Sequence, residues 1–217
     1  MTKRSFLAAA LSAAPFLTTR AKAADEPLPP GIGSMAAQVA GRVNIGLDGI
    51  VEVFVYFMFV DGVGLGSDLF EGQPNQHTAH FTLRADRLRP VFTQNGDITH
   101  VTFEPAPGGQ GFYRIFYNPR PTNRDLTRPE TFSQGTQIAA FRTRRTQATL
   151  IPGALTQVTG TIDLVEHADF TFRDRTFNVR DIYLALSCVF HARPFTLSDI
   201  GVTTFSVPLG GYLIKAG

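Results

Sequence analysis

Apolar residues recur at every second position through most of this chain, and beyond the N-terminal region no stretch carries the spacing of an amphipathic helix. Such a chain must build strands. Val39, Gly41, Val43, Ile45 and Leu47 fall on one face, and Ala40, Arg42, Asn44 and Asp48 on the other, as in a half-buried strand. Asp48-Gly49 then predicts a tight hairpin, because both residues accept positive φ. The return strand, Ile50 to Val60, is apolar on both faces with Glu52 as its only charge. Both faces must be covered, either by the rest of the fold or by another subunit.

Thr78 to Asp86 alternates with Ala79, Phe81, Leu83 and Ala85 inward and Thr78, His80, Thr82 and Arg84 outward. Further strands are predicted at 97–104, 111–117, 136–150, 156–165, 168–173, 182–191 and 202–207, with turns at Asn95-Gly96 and Gly108-Gly109. The 20 Gly and 14 Pro suit a turn-rich chain. About ten short strands joined by turns predict an all-β fold, a single-domain antiparallel β-barrel over 35–217, with a two-sheet β-sandwich as the alternative. Asn118 to Ser133, with Pro119, Pro121 and Pro129, is expected to be a lid over one end or an edge-covering loop.

Residues 1–23 read as a signal peptide. Lys3 and Arg4 precede an Ala- and Leu-rich run from Phe6 to Leu17, and Ala21-Lys22-Ala23 supplies the small-x-small cleavage pattern. The run is shorter than the roughly 20 residues that span a bilayer, and Pro15 interrupts it, so no integral membrane segment is expected once it is removed. Thr2-Lys3-Arg4-Ser5-Phe6-Leu7 resembles the twin-arginine export signal with Lys in place of the first Arg, which would imply a bacterial protein exported already folded. The expected location is periplasmic or secreted. Residues 24–34, with Pro27, Pro29 and Pro30, form an extended linker.

The formal charge of +2 belongs to the same segment. Lys3, Arg4, Arg20 and Lys22 lie in it, and without them 16 basic residues face 18 acidic ones, a net charge of −2. A near-neutral exported domain is not expected to bind nucleic acid. Cys188 is the only cysteine, so no intramolecular disulfide can form, and its apolar setting predicts a buried, inert side chain.

Few motifs carry chemistry. Gly62-Val63-Gly64-Leu65-Gly66 lacks the following helix that a phosphate loop needs, so it predicts a bulge or corner. Gly64 to Phe70 resembles one calcium-binding nonapeptide repeat, a motif that works in tandem stacks. His77 and His80 point to opposite faces of a strand, and no metal site or cofactor is predicted. His100 and Glu104 share a strand face about 13 Å apart. Asp163, Glu166, His167 and Asp169 form the densest titratable cluster, at an expected turn. Arg142, Arg144 and Arg145 suggest a charged outer face.

Seventeen of the 19 Phe lie beyond the signal, and they would fill a core or line a cavity. Export, strand patterning and aromatic content resemble, at the level of architecture, lipocalin-like and allene-oxide-cyclase-like barrels. The leading expectation is a barrel that binds a small hydrophobic or aromatic ligand in its interior, with Phe54, Tyr56, Phe112 and Tyr113 as wall residues and Arg114 as a polar anchor. One alternative is an enzyme of cyclase or isomerase type using His100, Glu104, His167 or Tyr113 as acid/base. The other is a structural or assembly protein with strand 51–60 as the interface of a homo-oligomer.

Overall fold

A computed structural model describes residues 32–150, 156–193 and 204–216. The predicted signal peptide and residues 24–31 of the predicted linker lie outside the described residues. The strands are β1 Met35–Ile45, β2 Val51–Val60, β3 Gly64–Leu65, β4 Phe81–Ala85, β5 Leu88–Asn95, β6 Ile98–Pro105, β7 Phe112–Tyr117, β8 Thr136–Leu150, β9 Thr156–His167, β10 Asp169–Phe172, β11 Arg175–Asn178, β12 Ala185–Ala192 and β13 Phe205–Ala216. The one described α-helix, α1, is the single turn Val179–Ile182.

Only Asp86 and Arg87 separate β4 from β5, and a bulge at 106–111 separates β6 from β7, so each pair acts as one bent staff of the wall. Counted this way, eight staves pair antiparallel with their neighbours in chain order, and β13 closes on β1. The fold is a closed meander barrel, and the sandwich alternative does not hold. β8 is long because its first half pairs with β7 and its second half with β6.

Backbone contact is closest at two glycines. A Cβ on Gly41 would lie 2.1 Å from the Phe54 carbonyl oxygen, and one on Gly211 would lie 2.2 Å from that of Val189. Side chains at either site would force neighbouring staves apart.

The two ends differ. Among the described residues, short turns lie at one, at 46–50 and at Gly96-Asp97, while the long connections β2–β4, β7–β8 and β9–β12 gather at the other. There a hairpin of β10 and β11, turned by Arg173 and Asp174 at φ 47° and 62°, folds over the opening. Its Phe170 and Phe172 meet Phe81 with ring centroids 5.6 and 5.2 Å apart, and Tyr117 stacks on Phe81 at 5.1 Å. Much of the aromatic content therefore forms a plug at the closed end.

Much of the apolar strand β2 is covered within the chain, with Tyr56, Met58 and Phe59 half-buried. Val51, Val53, Val55 and Phe57 face inward, while Phe54 packs outward under Phe132 at 5.0 Å and Tyr56 against Phe70 at 6.2 Å. The 118–135 connection is thus a cover over the outer face of β2 and β4, tied down by Thr82 Oγ1, which donates to the Phe132 carbonyl at 2.8 Å. His80, expected on a solvated face, is also buried: its ring meets Phe172 of β10 at 5.4 Å and its Nδ1 lies 3.0 Å from the Asn118 carbonyl.

Short strands β3 and β11 form where none is expected, and β5 and β13 differ from expectation in ways that proline explains. β5 is not expected from the sequence because Pro90 interrupts it, yet among the described residues β5 has no partner on its β2 side beyond Leu88, and proline is tolerated on such an edge. β13 runs to Ala216 instead of ending near 207. Pro208 pairs with Arg42 on β1 but lies past the last pair with β12, Ala192↔Leu209, so it too has one free side.

Candidate functional site

At the end with short turns, the inward residues leave a cavity that every staff of the barrel helps to line. Its walls are mainly aliphatic, including Val43, Val51, Val101, Val158 and Leu209, with Phe103 and Phe190 adding aromatic surface. The atom-free space is about 660 Å³ including the open mouth, but the centre of a water-sized sphere has only about 40 Å³ to move in. The void is therefore narrow, suited to a slender molecule more than a bulky one.

Tyr113, Thr146 and Thr156 are its polar members. The Tyr113 hydroxyl lies 3.4 Å from Thr146 Oγ1. Burial pushes the phenol up to about 12, so it stays protonated and can donate a hydrogen bond at neutral pH. Cys188 faces the same interior, 4% exposed, and burial pushes its thiol up to about 12 as well. It is expected to resist thiol reagents at pH 8 in the folded protein and react fully in denaturant, as a colorimetric thiol assay would show.

The two raised groups predict a direction for alkaline stability. The unfolded phenol and thiol ionise near their ordinary values of 10.0 and 9.0, while the folded ones hold their protons to about 12. Through that window the unfolded chain binds fewer protons, so stability is full below it and falls as pH rises through it. Urea unfolding at pH 8 and pH 11 should show a smaller loss for Tyr113→Phe than for the native chain. An equal loss would mean that the phenol does not contribute.

Among the residues the sequence suggested, Tyr113 alone reaches the cavity. Phe54, Tyr56, Phe112 and Arg114 lie on the outer face. Phe112 carries the Arg114 and Arg142 guanidinium groups at 5.0 and 5.5 Å from its ring centroid, and Arg114 pairs with Asp86. The reason is the strand period itself: Phe112 and Tyr113 are neighbours and must face opposite sides. The outward charge of Arg114 fixes which one is inside.

His100, Glu104 and His167 are exposed on the outer surface, and Glu104 pairs with Arg89 at 2.7 Å. The Asp163 to Asp169 cluster does not converge. Asp163 meets Arg144, Glu166 accepts from Gln137 at 2.8 Å, and Asp169 accepts from Asn178 at 2.6 Å. Arg144 sits at a register shift of β8, so it no longer keeps simple alternation with Arg142 and Arg145.

Outside the wall, the 106–111 bulge borders a polar groove with Arg84, Arg87 and Arg114. Arg84 is bound to Glu52 at 3.0 Å, Arg87 to Asp48 at 2.7 Å and Arg114 to Asp86, so the groove's positive charge is already met. An interior cavity was expected, but most of its lining residues were missed because it is assembled from alternate residues of many strands. One signal was present: Val101 and Phe103 alternate with the polar His100, Thr102 and Glu104, which marks them as inward.

These features define an eight-stranded meander barrel with an aliphatic cavity lined, among the described residues, by all eight staves. No family model, curated protein or solved structure matches the chain. No helix among the described residues is long and apolar enough to cross a membrane.

Proposed function

We propose that the protein is an exported barrel that binds a slender hydrophobic molecule in its interior, with the Tyr113 hydroxyl donating to one neutral polar group of the ligand. The observation that carries this reading is the aliphatic cavity with a protonated phenol among its wall residues. Its predominantly aliphatic lining favours an alkyl or isoprenoid chain over a flat aromatic ring. Export rests on the pattern of residues 1–23.

Entry has a physical basis at the rim. Beyond the single pair Val51↔Leu88, β5 is not paired with β2, so among the described residues the β5–β6 hairpin pairs with the wall through β6 and β8. Phe92 lines the cavity and is 40% exposed, and its neighbours Val91 and Ile98 are also exposed. A hairpin supported on one side can swing to admit a chain.

The test is native mass spectrometry of protein taken from its own compartment, together with titration by a lipophilic fluorescent dye. The expected result is a bound apolar molecule and saturable dye binding displaced by a long-chain alcohol. An empty barrel that also binds no dye would overturn the reading. The cyclase or isomerase alternative retains Tyr113 alone in the interior, and a phenol held near 12 is a poor base at neutral pH. The assembly alternative has less to rest on, since Phe54 and Tyr56 on the outer face of β2 already pack against Phe132 and Phe70.

A further inference from the structure

Arg124 is the largest fully buried side chain among the described residues, at 0% exposure, and none of its Nε, Nη1 and Nη2 atoms has a hydrogen-bond partner. Other guanidinium groups are matched: Arg84 with Glu52, Arg87 with Asp48, Arg89 with Glu104, Arg144 with Asp163 and Arg173 with Asp68. A guanidinium keeps its charge at neutral pH, and a buried charge with no acceptor is among the costliest arrangements a protein interior can hold.

The surrounding segment is built to hold this side chain in place. Asn123, just before it, turns the backbone at φ 57°, a left-handed conformation that Asn tolerates. Asp125, just after it, is committed elsewhere, accepting from Thr127 N at 2.8 Å, Thr127 Oγ1 at 2.7 Å and Arg128 Nε at 3.3 Å. Thr131 Oγ1 then closes the turn, accepting from Asp125 N at 3.0 Å and donating to the Arg128 carbonyl at 2.7 Å. Phe132 and Thr82 fix the whole segment to the outer barrel wall. The nearest acid in sequence thus faces its own turn, and burial is the cause that lowers the Arg124 pKa, to about 10.

We propose that Arg124 is the receptor of a second binding site, for a small oxyanion: a carboxylate or a phosphate group. The planar fork of a guanidinium matches the two oxygens of such a group in a bidentate contact, and an anion would neutralise the stranded charge. The site lies in the β7–β8 connection, which leaves and re-enters the barrel at its closed end. It is therefore separate from the apolar cavity, and it stands whether or not that cavity binds a ligand. Because Arg124 has no exposed surface, an anion enters only when the segment lifts from Phe54 and Thr82.

The experiment is thermal unfolding of the folded mature protein at constant ionic strength, with sodium chloride replaced stepwise by phosphate in one arm and by acetate in the other. Native protein should show a saturable rise in Tm in at least one arm, and the arm that responds tells phosphate from carboxylate. Arg124→Met should show no rise, and in chloride alone its Tm should equal or exceed that of the native protein, because an uncompensated charge has gone. Equal anion responses in the two proteins, no response in the native one, or an Arg124→Met protein clearly less stable in chloride would overturn the assignment. Should the variant not fold, calorimetric titration of the native protein with phosphate and with acetate decides the question: saturable heat is expected, and its absence in both overturns the site.

Discussion

Truncating Phe81 to alanine is expected to lower the free energy of unfolding by about 3–5 kcal/mol, a large share of the roughly 5–15 kcal/mol that holds a typical domain folded. Phe81 is 2% exposed and touches three other rings of the plug, Tyr117, Phe170 and Phe172. Its loss opens a cavity that rings held from two separate elements cannot collapse into. It also removes two of the ring contacts that hold the β10–β11 hairpin over the barrel, leaving those of Tyr117 and His80. Urea unfolding gives the stability change, and hydrogen exchange should show residues 169–178 losing protection first. Phe92→Ala is the matched control, because that ring is 40% exposed and should cost about 1 kcal/mol or less. Similar losses for the two variants would mean that the plug does not organise the closed end.

The second large effect concerns binding. Ala148→Leu is expected to abolish uptake of a lipophilic dye while leaving the barrel folded. Ala148 lines the cavity among Val101, Leu150 and Val158, and its paired neighbour Val158 faces the same space. Because the centre of a water-sized sphere has only about 40 Å³ there, three added carbons fill what a ligand chain would need. Overpacking would cost about 1–3 kcal/mol, which urea unfolding can separate from the binding loss. Dye binding retained at native affinity would place the ligand site elsewhere.

The strands could be read because alternation is local. Residues 136–150 were predicted as one strand and form one, and Phe81, Leu83 and Ala85 face inward as their spacing required. The signals failed where tertiary partners replaced solvent. His80 and Thr82 alternate as surface residues do, but Phe172 lies over one and the 118–135 segment over the other, and nothing in their own strand announces it. The site was partly legible. Tyr113 could be found as an aromatic on a strand, but Phe112 and Arg114, expected beside it in the interior, face outward, because neighbours on a strand take opposite sides. Thr146, Val158 and Phe190 carried no comparable mark.

Arg124 illustrates the same limit from the other side. In sequence it is one arginine among several in a proline-rich loop, and its expected place is solvent. Its burial without a partner follows from the turn at Asn123 and from the anchoring of Phe132, contacts between positions distant in the chain.

By itself the sequence determined the strand content, the turns at Gly49 and Gly96, the absence of any disulfide and the inward phase of strands with one polar face. These follow from backbone geometry and the two-residue period, which need no knowledge of neighbours. Only the tertiary structure decided barrel over sandwich, which end is plugged, which face of β2 looks inward and where the cavity lies. Each of those depends on which strand closes against which, and strand pairing is a choice among distant partners that no local pattern encodes.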